Sequence, residues 1–298
     1  MVLGEPQLSE SVQYTEEKPL TPFQEGLRSF LKNKIAVAGT VIVLFFIAVA
    51  ILSPLIAHTG INEQDLTKRL LPPSAEHWLG TDDFGRDIFS RVVYGAKISL
   101  FVGFFSVLGS VVVGSLLGII AGYYGKWADT IISRLFDIML AFPSILLAIA
   151  IISILGPSLQ NALIAIAVIN IPNFGRLLRA KVLSVKEEDY ILAAKSIGMK
   201  DSRILFKHVL PNSVSPIIVQ ASLAIATAII EAAALGFLGL GAQAPSPEWG
   251  KMLSDSKQYL IQAPWTMIFP GIAIMLTVLG FNLMGDGLRD ALDPKSKN

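Results

Sequence analysis

The chain of 298 residues contains no cysteine and few charged residues. Without cysteine it can form neither disulfides nor thiolate metal sites. Only 16% of its residues are charged, whereas 53% are hydrophobic and the mean hydropathy is +0.60. A soluble globule of this size needs a more polar surface than that composition provides. The chain is therefore predicted to be an integral membrane protein.

The sequence also lacks the phosphate-binding motif G-x-x-x-x-G-K-[ST]. The nearest approach, Gly122-Tyr-Tyr-Gly125-Lys126, has the wrong spacing and no hydroxyl residue. The three histidines, His58, His77 and His208, are scattered over predicted loops, so no metal site is predicted. We expect no catalytic residue and no cofactor in this chain, and nucleic acid is not an expected partner.

Six apolar segments meet or approach the roughly 20 residues that a helix needs to cross a bilayer. The fourth is the least regular, because Asn170, Pro172 and Gly175 interrupt it and its polar atoms need partners inside the protein. Five spans are the alternative. The predicted fold is all-α with six transmembrane helices, at residues 35–57, 98–123, 138–155, 161–178, 214–240 and 265–284.

Basic residues are unevenly divided between the two sides of such a bundle. Seventeen of the 24 Lys and Arg residues fall on the side that holds both termini and the loop 176–213. Because cytoplasmic loops carry the excess of Lys and Arg, this side is predicted to be the cytoplasm. The predicted organisation is a tail 1–34, a first helix 35–57, an extracytoplasmic loop 58–97, a five-helix core 98–285 and a tail 286–298.

The N-terminal region and the extracytoplasmic loop carry further expectations. The first apolar run is too long for a cleaved signal, so it is expected to remain. Residues 1–21 are polar and acidic, which favours a disordered or partner-bound segment. The loop 58–97 is interpreted either as a contact for a partner or lid over a pathway, or as a segment folded onto the bundle.

Small residues recur in the second predicted span. Gly114, Gly118 and Gly122 are spaced four residues apart, which places them on one face of a helix. Such a stripe lets two helices approach closely in lipid. Packing inside the bundle is the principal interpretation, and a subunit interface is the alternative.

The loop 176–213 is unusually polar for a chain built for lipid. Tyr190, Ala193, Ala194 and Ile197 have the spacing of one helix face, and Gly198 is suited to end that helix. Asp201 or Ser202 is expected to cap a second short helix that ends at Pro211. A small-residue face flanked by Lys and Arg indicates a docking surface for a soluble partner. A solvated hairpin is the alternative.

The spacing of this loop resembles a known signature. Ala193-Ala194, three residues, Gly198, eleven residues and Leu210-Pro211 resemble the cytoplasmic signature of binding-protein-dependent ABC importer permeases. Leu192 and His208 depart from the general signature and resemble its peptide-importer branch. The resemblance to the C-type permease of dipeptide and oligopeptide importers extends over most of the chain, through Leu79-Gly80-Thr81-Asp82, Gly85-Arg86-Asp87, Ser90-Arg91, Tyr94-Gly95, Leu140-Ala141-Phe142-Pro143 and Phe237-Leu238-Gly239-Leu240-Gly241.

The resemblance implies a type I importer permease fold in a bacterial inner membrane. It implies four kinds of partner: a second permease, two ATP-binding subunits that hold ATP and Mg, an extracytoplasmic peptide-binding protein, and membrane lipid. The loop would then couple to the ATPases. The residues assigned to coupling are Asp189, Tyr190, Ala193, Ala194, Ile197, Gly198, Asp201, Arg203, His208, Leu210 and Pro211.

One acidic residue, Glu231, lies within a predicted span, and another, Asp137, lies near the cytoplasmic end of the third span. Glu231 is expected to face a partner or a cavity, because an ionisable group at membrane depth is costly. It is interpreted either as a structural hydrogen-bonding group or as part of the translocation path. The letters Glu231-Ala232-Ala233 imitate the signature, but Gly236 comes one residue too early. Asp137 is expected to pair with Arg134 or with a neighbouring helix.

The solute and the energy source stay open at this stage. Peptides are the first expectation, with nickel chelates and glutathione as alternatives within the same architecture. A carrier driven by an ion gradient is an alternative of another class, although no internal repeat supports it. A membrane scaffold without transport would not require Glu231 or proline-interrupted helices.

Overall fold

The computed structural model describes residues 22–292, and this part of the chain is helical with short connections. The predicted tail segment 1–21 and residues 293–298 lie outside the described residues. The helices are α1 Pro22–Lys32, α2 Lys34–Ile56, α3 Ile88–Tyr124, α4 Lys126–Leu140, α5 Ser144–Leu155, α6 Leu159–Lys186, α7 Asp189–Ser196, α8 Asp201–Ile204, α9 Val214–Phe237, α10 Trp249–Ser256 and α11 Trp265–Leu292.

Within residues 22–292, five segments are long and apolar enough to cross a membrane: α2, α3, α6, α11 and Pro211–Phe237, which contains α9. A sixth span results when the bent pair of α4 and α5 is counted as one. The all-helical membrane fold is confirmed. The short amphipathic helix α1 lies within the predicted N-terminal tail, and its Gly26 packs against the end of α11.

Three of the spanning helices are longer than predicted, and one of them is α11, which continues past residue 284 to Leu292. α3 begins at Ile88, inside the predicted loop 58–97, because Asp87 caps it by accepting a hydrogen bond from the Ser90 amide at 2.8 Å. α6 continues through Pro172 to Lys186, so the first residues of the predicted loop 176–213 are helical. At about 1.5 Å per residue, α3 and α6 are both longer than the roughly 30 Å thickness of a bilayer core.

The third predicted span, 138–155, is broken rather than continuous. α4 and α5 meet at an angle of 95° across residues 141–143. Proline disfavours the helical conformation for the residue before it, and Pro143 itself is the N-cap of α5, with φ −55° and ψ 130°. The Leu140-Ala141-Phe142-Pro143 motif therefore forms a sharp corner.

The glycine stripe of α3 packs directly against α6. A Cβ atom on Gly114 would lie 2.6 Å from the Ile171 carbonyl oxygen, and one on Gly118 would lie 2.4 Å from the Gly175 carbonyl oxygen. Gly122 makes a similar approach to Arg179. The interpretation of this stripe as packing inside the bundle is confirmed.

α4 is attached to α6 by ion pairs. Asp137 contacts Arg176 at 2.5 Å and Arg134 at 3.8 Å, so both of its predicted partners are present. The Asp129 carboxylate pairs with the Arg179 guanidinium through both oxygens, with the Nη2 contact at 2.7 Å. Paired geometry of this kind fixes orientation as well as distance.

The connection between α2 and α3 is folded onto the bundle. The ionisable residues next to α3 are buried and paired: Arg86 donates to Asp82 at 2.6 Å, and His77 Nδ1 lies 3.0 Å from Asp87. Arg91 reaches back to the Ile61 carbonyl at 2.9 Å. The motif Leu79-Gly80-Thr81-Asp82 thus lies in a compact, internally paired segment at the start of α3.

Helix α10 fills the space between α3 and α9. Its N-cap, Glu248, is buried and accepts hydrogen bonds from the Gly250 and Lys251 amides at 2.8 Å. Burial raises the pKa of the Glu248 carboxyl, and the two amide donors oppose that shift. Gly95 of α3 and Gly250 of α10 provide the space for these close contacts.

The backbone contact between α3 and α6 predicts a steep penalty for one added methyl group. Gly118→Ala should lower stability by about 1–3 kcal/mol, because the obstructing atom is a backbone oxygen that cannot rotate away. Gly109→Ala is the matched control, since its Cβ would meet Ala167 at an ordinary 3.4 Å. Thermal unfolding of both variants in detergent measures the difference. Equal midpoints would contradict this packing argument.

Candidate functional site

The segment between α6 and α9, residues 187–213, forms the docking loop. It contains α7 and α8, followed without a break by a π-helical turn at Leu205–Val209 and a 3-10 turn at Pro211–Ser213. The Leu210 amide donates to the Leu205 carbonyl at 2.8 Å, which is the i to i−5 bond of a π turn. The second predicted helix therefore does not end at Pro211 but continues into α9.

Gly198 ends α7 as predicted. Its φ is +75°, and the Met199 amide donates to the Ala194 carbonyl at 3.1 Å while the Gly198 amide donates to the Lys195 carbonyl at 2.9 Å. These two bonds form a Schellman motif, which requires a left-handed residue at this position. A Cβ atom on Gly198 would have nothing within 4 Å, so the outer side of the turn is open.

A small hydrophobic cluster holds the docking loop against the bundle. Its buried members come from the ends of α3 and α6 as well as from the loop itself. Burial of such side chains gives about 1.5–3 kcal/mol each, which is enough to fix a short helical pair. The buried residues are Tyr123, Leu178, Val182, Val185, Ile191, Ala194, Ile204 and Val209.

Part of the predicted apolar face of α7 is buried against the bundle, and the rest is exposed. Ala194 is only 6% exposed and packs into the hydrophobic cluster with Ile191, so its assignment to the outer face is wrong. Tyr190, Ala193 and Ile197 do remain exposed, with Ile197 at 79%. The reason is helical geometry: α7 lies flat on the bundle, and the side of the helix that holds Ile191 and Ala194 faces inward.

The exposed side of the loop forms an apolar patch with a basic border. Ile197 and Gly198 line a depression of about 330 Å³ together with Met199, Lys200 and Arg203. Beyond it, the exposed Phe206 and Lys207 continue the surface. A depression of mixed character beside an open glycine can receive a protruding side chain of another protein.

The remaining predicted coupling residues lie around this patch. His208 is half-buried, with its ring centroid 6.0 Å from that of Tyr190. The Asn212 amide group donates to the His208 carbonyl at 2.7 Å. Leu210 is partly buried, whereas Asp189, Arg203 and Pro211 are exposed.

Asp201 does not cap α8, contrary to its predicted role. The N-cap residue is Lys200, and no side chain caps this end. Asp201 instead accepts a hydrogen bond from the Tyr123 hydroxyl at 2.6 Å. The tyrosine belongs to the last turn of α3, so this bond joins the docking loop to a spanning helix.

Glu231 is the centre of a polar cluster between α6 and α9. Its Oε2 accepts a hydrogen bond from Asn170 Nδ2 at 3.0 Å, and the same amide donates to the Ile166 carbonyl. Asn173 donates to Asn170 at 3.4 Å and is exposed. Glu231 therefore has a hydrogen-bond partner inside the protein, as expected for an ionisable group at membrane depth, and Asn170 finds the partner that its position requires.

The imitation of the signature at Glu231-Ala232-Ala233 lies inside α9, away from the docking loop. Ala232 and Ala233 are buried, and a Cβ atom on Gly236 would lie 2.5 Å from the Glu248 carboxylate. These residues serve helix packing. α9 ends in a second Schellman turn at Gly239, φ +80°, which accounts for the Phe237-Leu238-Gly239-Leu240-Gly241 motif.

Two contributors to the candidate site were missed from sequence. Tyr123 looked like an ordinary residue at the end of a span, although a tyrosine hydroxyl near the end of an apolar run often finds a polar partner. Asn173 was not connected with Glu231, because the two are 58 positions apart on different helices. Only the packing of α6 against α9 brings them together.

Comparison with known proteins assigns the family. The profile described as "Binding-protein-dependent transport system inner membrane component" matches residues 114–298, more than half of the chain. The chain belongs to this family. A second profile, "N-terminal TM domain of oligopeptide transport permease C", matches residues 21–73 of the permease.

Curated relatives match the permease over nearly its whole length. It is 64% identical to the dipeptide transport system permease protein DppC of Alkalihalophilus pseudofirmus, over 96% of this chain and 93% of the relative. It is 50% identical to the glutathione transport system permease protein GsiD of Pectobacterium atrosepticum, over 93% of both chains. It is 48% identical to a di/tripeptide permease of Pseudomonas aeruginosa, over 93% of this chain and 94% of the relative.

A solved structure supports the fold of the permease. A chain of the MetNI methionine ABC transporter in an inward-facing conformation aligns with a TM-score of 0.55 and 20% identity, covering 68% of this chain and 97% of that chain. The similarity shows a type I ABC importer permease fold. The permease is accordingly a multi-pass membrane protein of a family that works with ATPase and binding-protein partners.

The left-handed turn at Gly198 predicts which substitutions the docking loop tolerates. Gly198→Asn should keep the turn, whereas Gly198→Val should cost about 1–2 kcal/mol, because branched L-residues resist this conformation. Hydrogen exchange at the Met199 amide measures the effect, since that amide is bonded across the turn. Faster exchange is expected in the valine variant alone. Equal exchange in both variants would contradict the argument.

Proposed function

We propose that this permease imports dipeptides and short oligopeptides as one of two membrane subunits of an ATP-driven complex. The observation that supports this most directly is the docking loop, whose open Gly198 turn and exposed Ile197 present an apolar depression to a soluble partner. The names of the relatives at 64% and 48% identity support peptides as solutes. ATP and Mg would be bound by two partner ATPases.

The orientation follows from charge. Seventeen of 24 basic residues fall on the side of the docking loop and the termini, which supports a cytoplasmic location for that side by the positive-inside rule. The connection 57–87 and helix α10 would then face the extracytoplasmic binding protein. Exposed Trp78 and Phe84 give that face apolar points of contact. The membrane would be the bacterial inner membrane.

Coupling would occur through the outer surface of the docking loop. When the ATPases close on ATP, a protruding element seated beside Gly198 would displace α7 and α8 as a unit, because both are fixed to one hydrophobic cluster. The cluster includes residues from the ends of α3 and α6, so the displacement reaches the spanning helices. Rigid-body transmission of this kind requires packed rather than loosely held elements.

The polar cluster of Glu231, Asn170 and Asn173 is a candidate part of the translocation path. Exposed Asn173 leads from the surface of α6 to partly buried Glu231 at membrane depth. A peptide backbone carries donors and acceptors that need partners inside a membrane. The amide and carboxylate groups of this cluster supply such partners to the peptide backbone whatever side chains the peptide carries. This property suits a path that accepts many peptides.

Glutathione is a second candidate solute. The relative named as a glutathione permease is 50% identical over 93% of the chain, so the same architecture supports this related solute. Nickel chelates remain a third alternative. A carrier driven by an ion gradient would retain transport after ATP depletion, and deletion of the ATPase partner would leave its activity unchanged.

The docking proposal predicts that Gly198→Asp abolishes ATP-dependent uptake. The substitution places a charged side chain in the open space beside the turn while leaving the membrane core unchanged. Uptake of labelled di- to pentapeptides by proteoliposomes that contain all subunits measures the loss, and copurification measures assembly. We expect at least a tenfold decrease, since disrupted interface centres commonly lose about 2 kcal/mol or more.

Gly239→Asp is the matched control for this experiment. Gly239 has φ +80°, ends α9 in a Schellman turn as Gly198 ends α7, and has nothing within 4 Å of an added Cβ, but it lies at the end of α9 away from the docking loop. Backbone strain alone would therefore affect both variants equally. Full uptake by Gly198→Asp would contradict the docking role, and equal losses in both variants would assign the defect to strain.

The path proposal predicts that Glu231→Gln changes uptake without changing assembly. Glutamine keeps an oxygen that can accept the Asn170 hydrogen bond, so the helix contact survives. The loss of the ionisable group should alter the dependence of uptake on pH and the preference for peptides with free N-terminal amines. Uptake assays over a range of pH measure both properties. A profile identical to that of the unmodified permease would exclude Glu231 from the path.

A further inference from the structure

Four charged or hydroxyl groups meet where α3 ends and the docking loop begins. The Tyr123 hydroxyl donates to Asp201 at 2.6 Å, and Lys186 Nζ donates to the Tyr123 carbonyl oxygen at 2.8 Å. The ammonium groups of Lys186 and Lys195 both lie 5.8 Å from the centre of the Tyr123 ring. One tyrosine thus contacts α6, α7 and α8 simultaneously.

Tyr123 is well placed to carry force. Its side chain belongs to the buried hydrophobic cluster, and the residue is 5% exposed. The preceding Gly122 packs against Arg179 and Val182 of α6, so the end of α3 has little freedom to slide. A movement of α8 that pulls on Asp201 therefore acts on the axis of α3 rather than on a loose side chain.

The contact with Lys186 adds a second connection. The last carbonyl oxygens of a helix lack partners within the helix and carry partial negative charge. An ammonium group at this position satisfies the Tyr123 carbonyl and favours the C-terminal end of α3. Lys186 is itself the last residue of α6, so the ends of both spanning helices are held by the same tyrosine.

We propose that the Tyr123–Asp201 hydrogen bond transmits the movement of the docking loop to α3, which makes Tyr123 a positioning residue for transport. This inference rests on the proposed docking function. In this proposal α8 is connected to α3 by the hydrogen bond, whereas α7 is connected to the bundle through the hydrophobic cluster. Loss of the bond should let the ATPases move the loop while α3 follows incompletely.

Removing only the Tyr123 hydroxyl tests the transmission role without disturbing the packing of the hydrophobic cluster. Asp201 is exposed, so its carboxylate stays hydrated when the tyrosine hydroxyl is removed. The phenylalanine ring of Tyr123→Phe keeps the packing of the hydrophobic cluster and the contacts with both lysines. The backbone bond from Lys186 is unaffected by the substitution. The variant should consequently fold and assemble as the unmodified chain does.

The decisive measurement is the number of peptides transported per ATP hydrolysed, in proteoliposomes that contain the complete complex. Tyr123→Phe should lower this ratio by roughly threefold or more, as expected for a residue within a coupling network. ATP hydrolysis and copurification of the ATPases should stay unchanged. Tyr124→Phe is the matched control, because this neighbouring tyrosine is exposed and its ring meets that of Tyr123 edge to face.

Variants of the acceptor complete the test. Asp201→Asn keeps an oxygen for the Tyr123 hydroxyl and should retain most of the ratio, whereas Asp201→Ala should lower it as Tyr123→Phe does. The double variant Tyr123→Phe, Asp201→Ala should be no worse than either single variant, because both remove one bond. Additive losses in the double variant would overturn the proposal.

The outcomes distinguish this inference from the docking proposal. An unchanged ratio in Tyr123→Phe, together with lost uptake in Gly198→Asp, would overturn the tyrosine link and leave docking intact. Full uptake in Gly198→Asp would overturn docking itself. Equal decreases in ATP hydrolysis and uptake in Tyr123→Phe would show a structural defect and would also overturn the proposal.

Discussion

The direct backbone contact between α3 and α6 is the constraint on which the rest of the structure depends. In lipid, helices gain little from hydrophobic transfer, so close packing and polar contacts must hold them together. Gly114, Gly118 and Gly122 allow the two backbones to pack closely over several turns. Ion pairs then attach α4 to α6. The docking loop follows from the end of α6 and is packed against the end of α3. The position of the docking loop thus depends on the glycine-mediated contact between α3 and α6.

Much of this arrangement is readable from local sequence. The apolar runs, the glycine stripe and the turn at Gly198 each express a rule that acts within a few residues. The stripe and the turn appear in the structure as predicted, and five of the six apolar runs form continuous helices, whereas the third is broken. The pairing of Asp137 with Arg134 is similar, because the two are one helical turn apart. The family resemblance of the loop also rested on spacing within one short segment.

The remaining features depend on contacts between distant segments. Periodicity identified an apolar face on α7, but only the position of the bundle decides that Ala194 faces inward while Ala193 faces outward. Asp201 has a good capping residue type, yet the Tyr123 hydroxyl of another helix takes its carboxylate. Helix α10 was missed because a short helix with a buried Glu248 N-cap resembles a polar loop in sequence. The break at Pro143 was visible as a proline, whereas its angle of 95° was not.

The π turn at Leu205–Val209 has a geometric consequence for the membrane. Residues 201–237 pass from α8 through the π turn and a 3-10 turn into α9, so the backbone connects α8 directly to the helix that carries Glu231. Each residue advances an α-helix by about 100°, and a π turn accommodates an additional residue within one turn. The number of residues in the π turn therefore sets the angular relation between α8 and α9. Removing one of them would rotate α8 by about 100° relative to Glu231, so the docking surface and the polar cluster would lose their present orientation toward each other.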